Sequence, residues 1–248
     1  NQWVMDNLCA PDCACASPSP GPPPPPPPPP PAPPVGTKPV MLAAGGGHTC
    51  AIDSGSNVKC WGANKYGQVG AGYAGEYASV PQQQVNAPIA VDFVAGLTAT
   101  SICAGSGHTC AVLSDASVRC WGAGDYGQLG DGQGSLDGIA WPAPLPNATT
   151  PAAVPDLGPG TTASVECGHR SACAIMKNGE VKCWGQREIT TLTPAFLDVG
   201  SNKATAVAIG WFHTCAILES GSVRCAAKEG DGKFGTVGNG RGVTSGDN

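Results

Sequence analysis

Cys110-Ala-Val-Leu-Ser-Asp-Ala-Ser-Val-Arg-Cys120-Trp121-Gly122 decides the fold, because its frame of two cysteines with nine residues between them occurs four times. Apolar residues alternate with polar ones on both sides of a polar centre, which is typical of a β-hairpin. Folding the stretch about its centre sets Cys110 opposite Cys120 and Val112 opposite Val118, with all four side chains on one face. The four copies run between Cys50 and Cys60, Cys110 and Cys120, Cys173 and Cys183, and Cys215 and Cys225.

The opposed cysteines predict a disulfide across each hairpin. Directly opposed residues of an antiparallel pair lie within disulfide reach. A metal site is the alternative, but ligand cysteines usually come in pairs two to four residues apart, so nine intervening residues favour a bridge. Closing such a loop stabilises the fold by about 2.5–3 kcal/mol. Thirteen cysteines, many in paired spacing, indicate an oxidising compartment and hence a secreted or cell-surface protein.

Composition and charge exclude several partners of the 248-residue chain. Charged residues make up only 12%, the formal net charge is −5, and Lys and Arg are dispersed. No basic patch is present to bind DNA or RNA, and no apolar run approaches the roughly 20 residues that span a bilayer. The chain begins at Asn1 without a signal peptide, so we expect a processed product or a fragment.

The first 39 residues differ from the rest in composition. Residues 1–16 carry Cys9, Cys13 and Cys15 and are interpreted as the end of a preceding module or a small cysteine knot. Residues 17–39 form a linker whose proline block predicts a polyproline II rod, rising ~3.1 Å per residue and spanning roughly 55 Å over residues 17–34. The rod is interpreted as a ligand for proline-binding domains, a glycosylated stalk or a passive spacer.

Residues 40–248 form the repeat domain. The segment Gly45-Gly-Gly-His48-Thr-Cys50 matches Gly105-Ser-Gly-His108-Thr-Cys110, and eight of the eleven residues from Cys60 to Gly70 are identical to those from Cys120 to Gly130. These blocks resemble the regulator of chromosome condensation repeat, with its Gly-x-x-His-Thr strand, hairpin and Trp-Gly-x-Asn-x-x-Gly-Gln-Leu-Gly turn. The resemblance covers roughly residues 40–240 and implies a β-propeller of four-stranded blades.

The later copies depart from this pattern. The third copy has Ser171 in place of the histidine and replaces the Tyr-Gly-Gln turn, and the fourth has Ala226 and Ala227 in place of Trp-Gly. Degraded copies at an end are typical of capping in a repeat array. The connections 71–88 and 132–159 are rich in small residues and proline and are predicted to be surface loops.

The fold class is therefore all-β: a β-propeller-like array of four disulfide-stapled repeats preceded by a polyproline II rod. The family implies seven blades and four are visible. We favour a compact four-unit propeller over two alternatives, completion by flanking sequence and an open arc packed against another subunit.

Residues that recur in the copies are predicted to have structural roles. A buried imidazole at His48, His108 and His213 is expected to tie adjacent strands, rather than to form a ring of metal ligands. Trp61, Trp121 and Trp184 alternate onto the face opposite the disulfides and are expected to pack between blades. Cys103 and Cys167 lie on strands leading into their blades and are expected to bond to each other or to the N-terminal cluster, with one cysteine left for another chain.

The candidate modification sites lie in the exposed segments. Asn147-Ala-Thr149 is a glycosylation sequon in the second insertion. The Ser-Pro and poly-Pro block resembles the hydroxyproline-rich glycoproteins of plants and green algae, which implies prolyl hydroxylation and O-glycosylation. These sites are Ser17, Ser19, Pro22, Pro23, Pro24, Pro25, Pro26, Pro27, Pro28, Pro29, Pro30 and Pro31. No catalytic constellation, cofactor site or metal site is predicted.

These features predict a non-enzymatic extracellular structural glycoprotein. It would be a subunit of a surface coat, cell wall or filament, such as an algal flagellar fibre, with protein subunits of the same or a related chain as partners. The alternative is a secreted propeller that binds a protein or carbohydrate ligand. A nucleotide exchange factor, by analogy with the family, is disfavoured because the cysteines argue against a reducing compartment.

Overall fold

The computed structural model describes residues 38–74, 84–93, 96–134, 148–186, 191–200, 203–211 and 213–227. These residues form fifteen strands in four antiparallel sheets, which we call blades 1 to 4. Blade 1 contains β1 (Pro39–Ala44), β2 (His48–Asp53), β3 (Val58–Ala63) and β4 (Gln84–Ala90), and blade 2 contains β5 (Ala99–Ala104), β6 (His108–Leu113), β7 (Val118–Gly122) and β8 (Ala148–Ala153). Blade 3 contains β9 (Thr162–Cys167), β10 (Ser171–Met176), β11 (Val181–Gly185) and β12 (Thr191–Phe196), and blade 4 contains β13 (Ala204–Ile209), β14 (His213–Leu218) and β15 (Val223–Ala227).

The predicted hairpins are confirmed in all four blades. The second and third strands pair so that each first cysteine is opposed to its partner and the apolar residue two positions on is opposed to a valine, as in Cys50 with Cys60 and Ile52 with Val58. A side chain at the turn fixes the register in blade 1, where Asp53 Oδ1 accepts hydrogen bonds from the Gly55 and Asn57 amides at 2.9 and 3.1 Å. Such side-chain to backbone bonds are a typical use of Asp in turns.

The prediction that the connections 71–88 and 132–159 are surface loops is wrong in part, because each contributes a strand. β4 and β8 pair with β3 and β7 as the outermost strands of blades 1 and 2. The sequence predicted loops here because Pro88 and Pro151 are typical of loops. A proline is tolerated on an edge strand, where no neighbour needs its missing N–H.

Successive blades pack face to face through two kinds of surface. One face of each blade carries its cysteine pair and the apolar residues between them, and we call it the disulfide face. The other face, which we call the tryptophan face, carries Trp121 in blade 2 and Trp184 in blade 3. The three apolar clusters each combine the disulfide face of one blade with the tryptophan face of the next.

The four described blades do not close into a ring, so the prediction of a compact four-unit propeller is wrong. Closure would bury the tryptophan face of blade 1 against the disulfide face of blade 4. Leu42 on the first face is 65% exposed, and Ile217 and Val223 on the second are 48% and 55% exposed. The described blades form an open array with two free faces.

Candidate functional site

A disulfide staples every blade. The pairs are Cys50–Cys60, Cys110–Cys120, Cys173–Cys183 and Cys215–Cys225, with Cα atoms 4.0 or 4.1 Å apart. The short Cα distance follows from the direct opposition of the two residues on neighbouring strands. The predicted hairpin disulfides are confirmed.

A fifth disulfide joins two blades. Cys103 on β5 bonds to Cys167 on β9, with Cα atoms 5.3 Å apart, which confirms one of the two predicted pairings. The sulfur atoms of Cys103, Cys167 and Cys110 lie within 4.8 Å of one another, the one cluster of three potential metal ligands among the described residues. All three sulfurs are in disulfides, so none is a thiolate available to a metal.

A hydrogen-bonded latch holds blade 1 against blade 2. The Gln68 carbonyl, in the turn after β3, accepts a bond from Trp121 Nε1 at 2.9 Å and another from Thr109 Oγ1 at 2.8 Å. His48 Nε2 lies 2.8 Å from Thr109 Oγ1. Because the threonine hydroxyl donates its proton to Gln68, His48 must donate from Nε2, which leaves Nδ1 unprotonated. Burial lowers the pKa of His48 to about 4, so the imidazole is neutral at pH 7.

Glycine is required three residues before each of the recurring histidines. A side chain at Gly45, Gly105 or Gly210 would collide with the imidazole of the histidine in the same copy. The Gly-x-x-His spacing therefore lets the ring pack directly on the backbone.

The junction between blades 2 and 3 keeps only part of the latch. Trp184 Nε1 donates to the Gln128 carbonyl at 2.9 Å. Ala172 stands where blade 2 has Thr109, so neither ring nitrogen of His108 has a hydrogen bond of ordinary geometry. Burial, with the nearby His48 as a smaller cause, lowers the pKa of His108 to about 3, despite the opposing effect of the Ser171 backbone.

The junction between blades 3 and 4 has lost the latch in the described residues. Ser171 replaces the histidine and Ala226 replaces the tryptophan. The hydroxyls of Ser171 and Thr214 are both buried without a partner. The Ile209 side chain packs against Gly168, in the place where an imidazole lies against the matching glycine of the other blades.

The loops between the first and second strands, together with the turn that follows β7, form a rim on which aromatic and basic groups stack. His169 and Trp211 have ring centroids 4.4 Å apart, and Trp211 is 63% exposed. The Arg170 guanidinium lies 3.9 Å from the centroid of the Tyr126 ring. Burial and the neighbouring Arg170 lower the pKa of His169, with Asp125 acting in the opposite direction. At pH 7 the rim therefore presents a neutral imidazole, an indole and a cation.

Two depressions open on the described blades. An open depression of about 630 Å³ lies beside Phe196 and Lys203, and one of about 360 Å³ is lined by the first strands of blades 1 to 3. Glu166 reaches the second cavity, and burial raises the pKa of its carboxyl.

The structure confirms the predicted positions of some recurring residues and not of others. Trp121 and Trp184 are fully buried between blades as predicted, whereas Trp61 on the free face of blade 1 is only partly buried. His48 ties two blades together, whereas the sequence pattern predicted a tie between adjacent strands. The role of Thr109 was missed, although a threonine follows the histidine in three copies.

Several predicted sites lie outside the described residues. These are the N-terminal cysteines Cys9, Cys13 and Cys15, the sequon at Asn147, and the rod with Ser17, Ser19 and the prolines from Pro22 to Pro31. In the part of the chain that the structure describes, no helix is long and apolar enough to cross a bilayer.

Comparison with known proteins identifies the repeats. Two models of the regulator of chromosome condensation (RCC1) repeat together match more than half of the chain, over residues 42–68, 99–128, 163–186 and 204–226 for one and 57–112 for the other. The E3 ubiquitin-protein ligase HERC2 of Homo sapiens is 32% identical over 153 residues. This alignment covers 61% of the chain but only 3% of HERC2.

Solved structures share the fold at low sequence identity. Human WBSCR16 superposes with a TM-score of 0.66 at 17% identity, covering 84% of this chain and 51% of that one. Yeast RCC1 (Prp20), in its complex with Kap60, gives a TM-score of 0.61 at 19% identity, covering 77% and 42%. The chain thus spans about half the length of these propellers, and it belongs to the RCC1 repeat family.

Proposed function

We propose that the protein is a non-enzymatic, extracellular structural subunit of a surface coat, cell wall or filament. The observation that carries the proposal is the set of five disulfides, one in each blade and one between blades 2 and 3. Cytosolic reductants keep such cysteines as thiols, so a fold built on them suits an oxidising compartment.

The mechanism is mechanical. Each staple constrains a hairpin, and the Cys103–Cys167 bridge prevents blades 2 and 3 from sliding apart. The stiff blades then offer broad faces for subunit contacts, while the poly-Pro segment, carrying covalent glycans, acts as a spacer.

The test is mass spectrometry of natively purified protein without reduction. We expect the five disulfide-linked peptide pairs, together with pentose or hexose masses on hydroxylated residues of the segment 17–34. Free thiols throughout the repeats and an unmodified proline segment would contradict an extracellular role.

A second candidate is a secreted binding module that captures a protein or carbohydrate on the rim. The stacked pair of His169 with exposed Trp211, beside Arg170, favours it, because aromatic faces and cations suit sugar rings and acidic groups. Thermal-shift screening against a panel of wall oligosaccharides tests it. A stabilisation that the Trp211→Ala variant loses would support binding on the rim, and no shift with any oligosaccharide would count against a carbohydrate ligand.

Nucleotide exchange on a small GTPase is the family analogy. It requires a reducing compartment, which the disulfides disfavour. We expect the oxidised protein not to accelerate nucleotide release from small GTPases, and acceleration would overturn the extracellular assignment.

A further inference from the structure

Every junction inside the chain repeats one pairing of surfaces. The disulfide face of one blade packs on the tryptophan face of the next, three times in succession. The described array therefore begins with an unpaired tryptophan face and ends with an unpaired disulfide face. We call these the head and the tail.

Among the described residues, nothing covers the head in the way that its equivalents are covered. Leu42 is 65% exposed, whereas the residues in the same position of blades 2, 3 and 4, Ile102, Val165 and Val207, are 5%, 1% and 7% exposed. A shallow apolar cavity of about 120 Å³ crosses this face between Leu42 and Trp61. The head thus presents a tryptophan and a cavity where inner blades are filled by a neighbour.

The tail is the counterpart of this surface. Ile217 and Val223 are 48% and 55% exposed, whereas Ile52 and Val58, which occupy the same positions in blade 1, are 3% and 1% exposed. These β-branched side chains stand on either side of the staple, as in the buried disulfide faces of the inner blades. The tail therefore resembles, in shape and polarity, the disulfide faces that pack on tryptophan faces elsewhere in the chain.

We propose that the tail of one copy of the chain packs on the head of another. The three internal junctions are the template for this contact. The inference deepens the proposed structural role by naming its partner as a second copy. The inference is argued from the packing of the blades. Its test is therefore independent of the test for disulfides and glycans.

One residue makes the head weaker than the inner faces. Asp53 occupies the position of the buried Leu113 and lies 3.5 Å from Lys59 Nζ. Asp53 is already buried, so the desolvation cost that the contact adds falls mainly on Lys59, whose side chain is 31% exposed. The contact between copies is therefore expected to be weaker than an internal junction and to depend on concentration.

The two faces differ, so the contact is heterologous. Heterologous contacts generate a closed ring when the rotation between copies returns to the start, and an open filament when it does not. Either product suits a coat or a fibre.

The experiment uses the full 248-residue chain with its disulfides formed, studied by sedimentation at a series of concentrations. Leu42→Glu blocks the head and Val223→Glu blocks the tail, since each would bury an unpaired carboxylate. Phe196→Glu is the matched control, because Phe196 is 64% exposed and belongs to neither face.

We expect the unmodified chain and the Phe196→Glu control to associate as concentration rises. Each blocked variant alone should remain a single chain, with at least a tenfold loss in association. An equimolar mixture of the two should form a one-to-one pair, because each supplies the face that the other lacks.

Three results would overturn the proposal. One is an unmodified chain that stays single at every concentration. Another is a blocked variant that still pairs with itself, which would mean that a face binds its own kind. The third is a lowered melting temperature of a blocked single chain, which would show that residues of the same chain cover the face. All three leave the disulfide and glycan masses unchanged, so they do not bear on the extracellular assignment.

Discussion

Two junctions share their apolar packing but differ in their hydrogen bonds. The junction between blades 1 and 2 has buried polar groups that are paired, and the junction between blades 3 and 4 has buried polar groups that are not. At the first, His48, Thr109 and Trp121 converge on the turn carrying Gln68. At the last, the hydroxyls of Ser171 and Thr214 are buried without partners. Apolar faces thus suffice to stack blades. The hydrogen bonds of the latch are complete at the first junction, partial at the second and absent from the described residues of the third.

The largest expected effect is the loss of folding stability when a tryptophan is removed from a buried tryptophan face, compared with its removal from the free one. Trp121→Ala removes an indole that is fully buried and donates to Gln68, so it should lower the free energy of unfolding by about 3–5 kcal/mol. The matched Trp61→Ala variant, on the free head, should cost well under half of that. Urea unfolding without reductant measures both, and equal losses would contradict the open array.

Acid should weaken the junctions that contain buried histidines. The folded pKa values of His48 and His108 are about 4 and 3, below the unfolded value near 6.5. Between these limits the unfolded chain binds more protons, so stability is full above about pH 6.5 and falls as the pH drops towards 4. The loss should be about 3 kcal/mol for each of the two histidines by pH 4, seen as a falling urea midpoint.

The control for the acid effect is His48→Gln, which does not titrate at this position and should remove about half of the dependence, leaving the part that comes from His108. Glu166 acts in the opposite sense, because its raised pKa favours the folded state at low pH. A His48→Gln variant as acid-sensitive as the unmodified protein would show that the imidazole is not buried neutral.

The hydroxyl at the latch should matter at one junction only. Thr109→Val removes the group that bridges His48 and Gln68 and should cost about 1–3 kcal/mol. Thr214→Val removes a hydroxyl that has no partner and should be neutral or stabilising. Thermal unfolding of the two variants compares them, and a Thr214→Val loss as large as that of Thr109→Val would refute the difference between junctions.

The smallest expected effect comes from rebuilding the lost latch. Ser171→His alone should cost about 1 kcal/mol, because Ile209 occupies the space beside Gly168 that an imidazole needs. Adding Ile209→Ala should recover part of this loss by opening that space. A double variant less stable than Ser171→His would mean that Ile209 does not stand in for the ring.

The hairpins and their disulfides were predictable because alternation along a strand is a local property. The spacing from Cys50 to Cys60 determines which side chains meet across the ladder. The outer strands β4 and β8 were missed because Pro88 and Pro151 resemble loop residues, and only their position at a sheet edge makes them acceptable. Local pattern does not reveal which strand lies at an edge.

The junctions were less predictable because they join residues far apart in the chain. Repetition of His48 and His108 indicated a shared structural role, yet their surroundings differ because the next blade offers Thr109 in one case and Ala172 in the other. Closure of the array also depends on blade angle, which no residue pattern records. The faces themselves, however, follow from the alternation of cysteine and tryptophan positions.

The most direct test of the latch is to measure the rate of hydrogen exchange at each indole N–H group, using NMR of tryptophan-labelled protein to monitor it. The tail-blocked Val223→Glu variant keeps the chains single. We predict slow exchange at Trp121 and Trp184, which donate to Gln68 and Gln128, and fast exchange at Trp61 on the free head. Equal protection of all three indoles would contradict an array with one open tryptophan face.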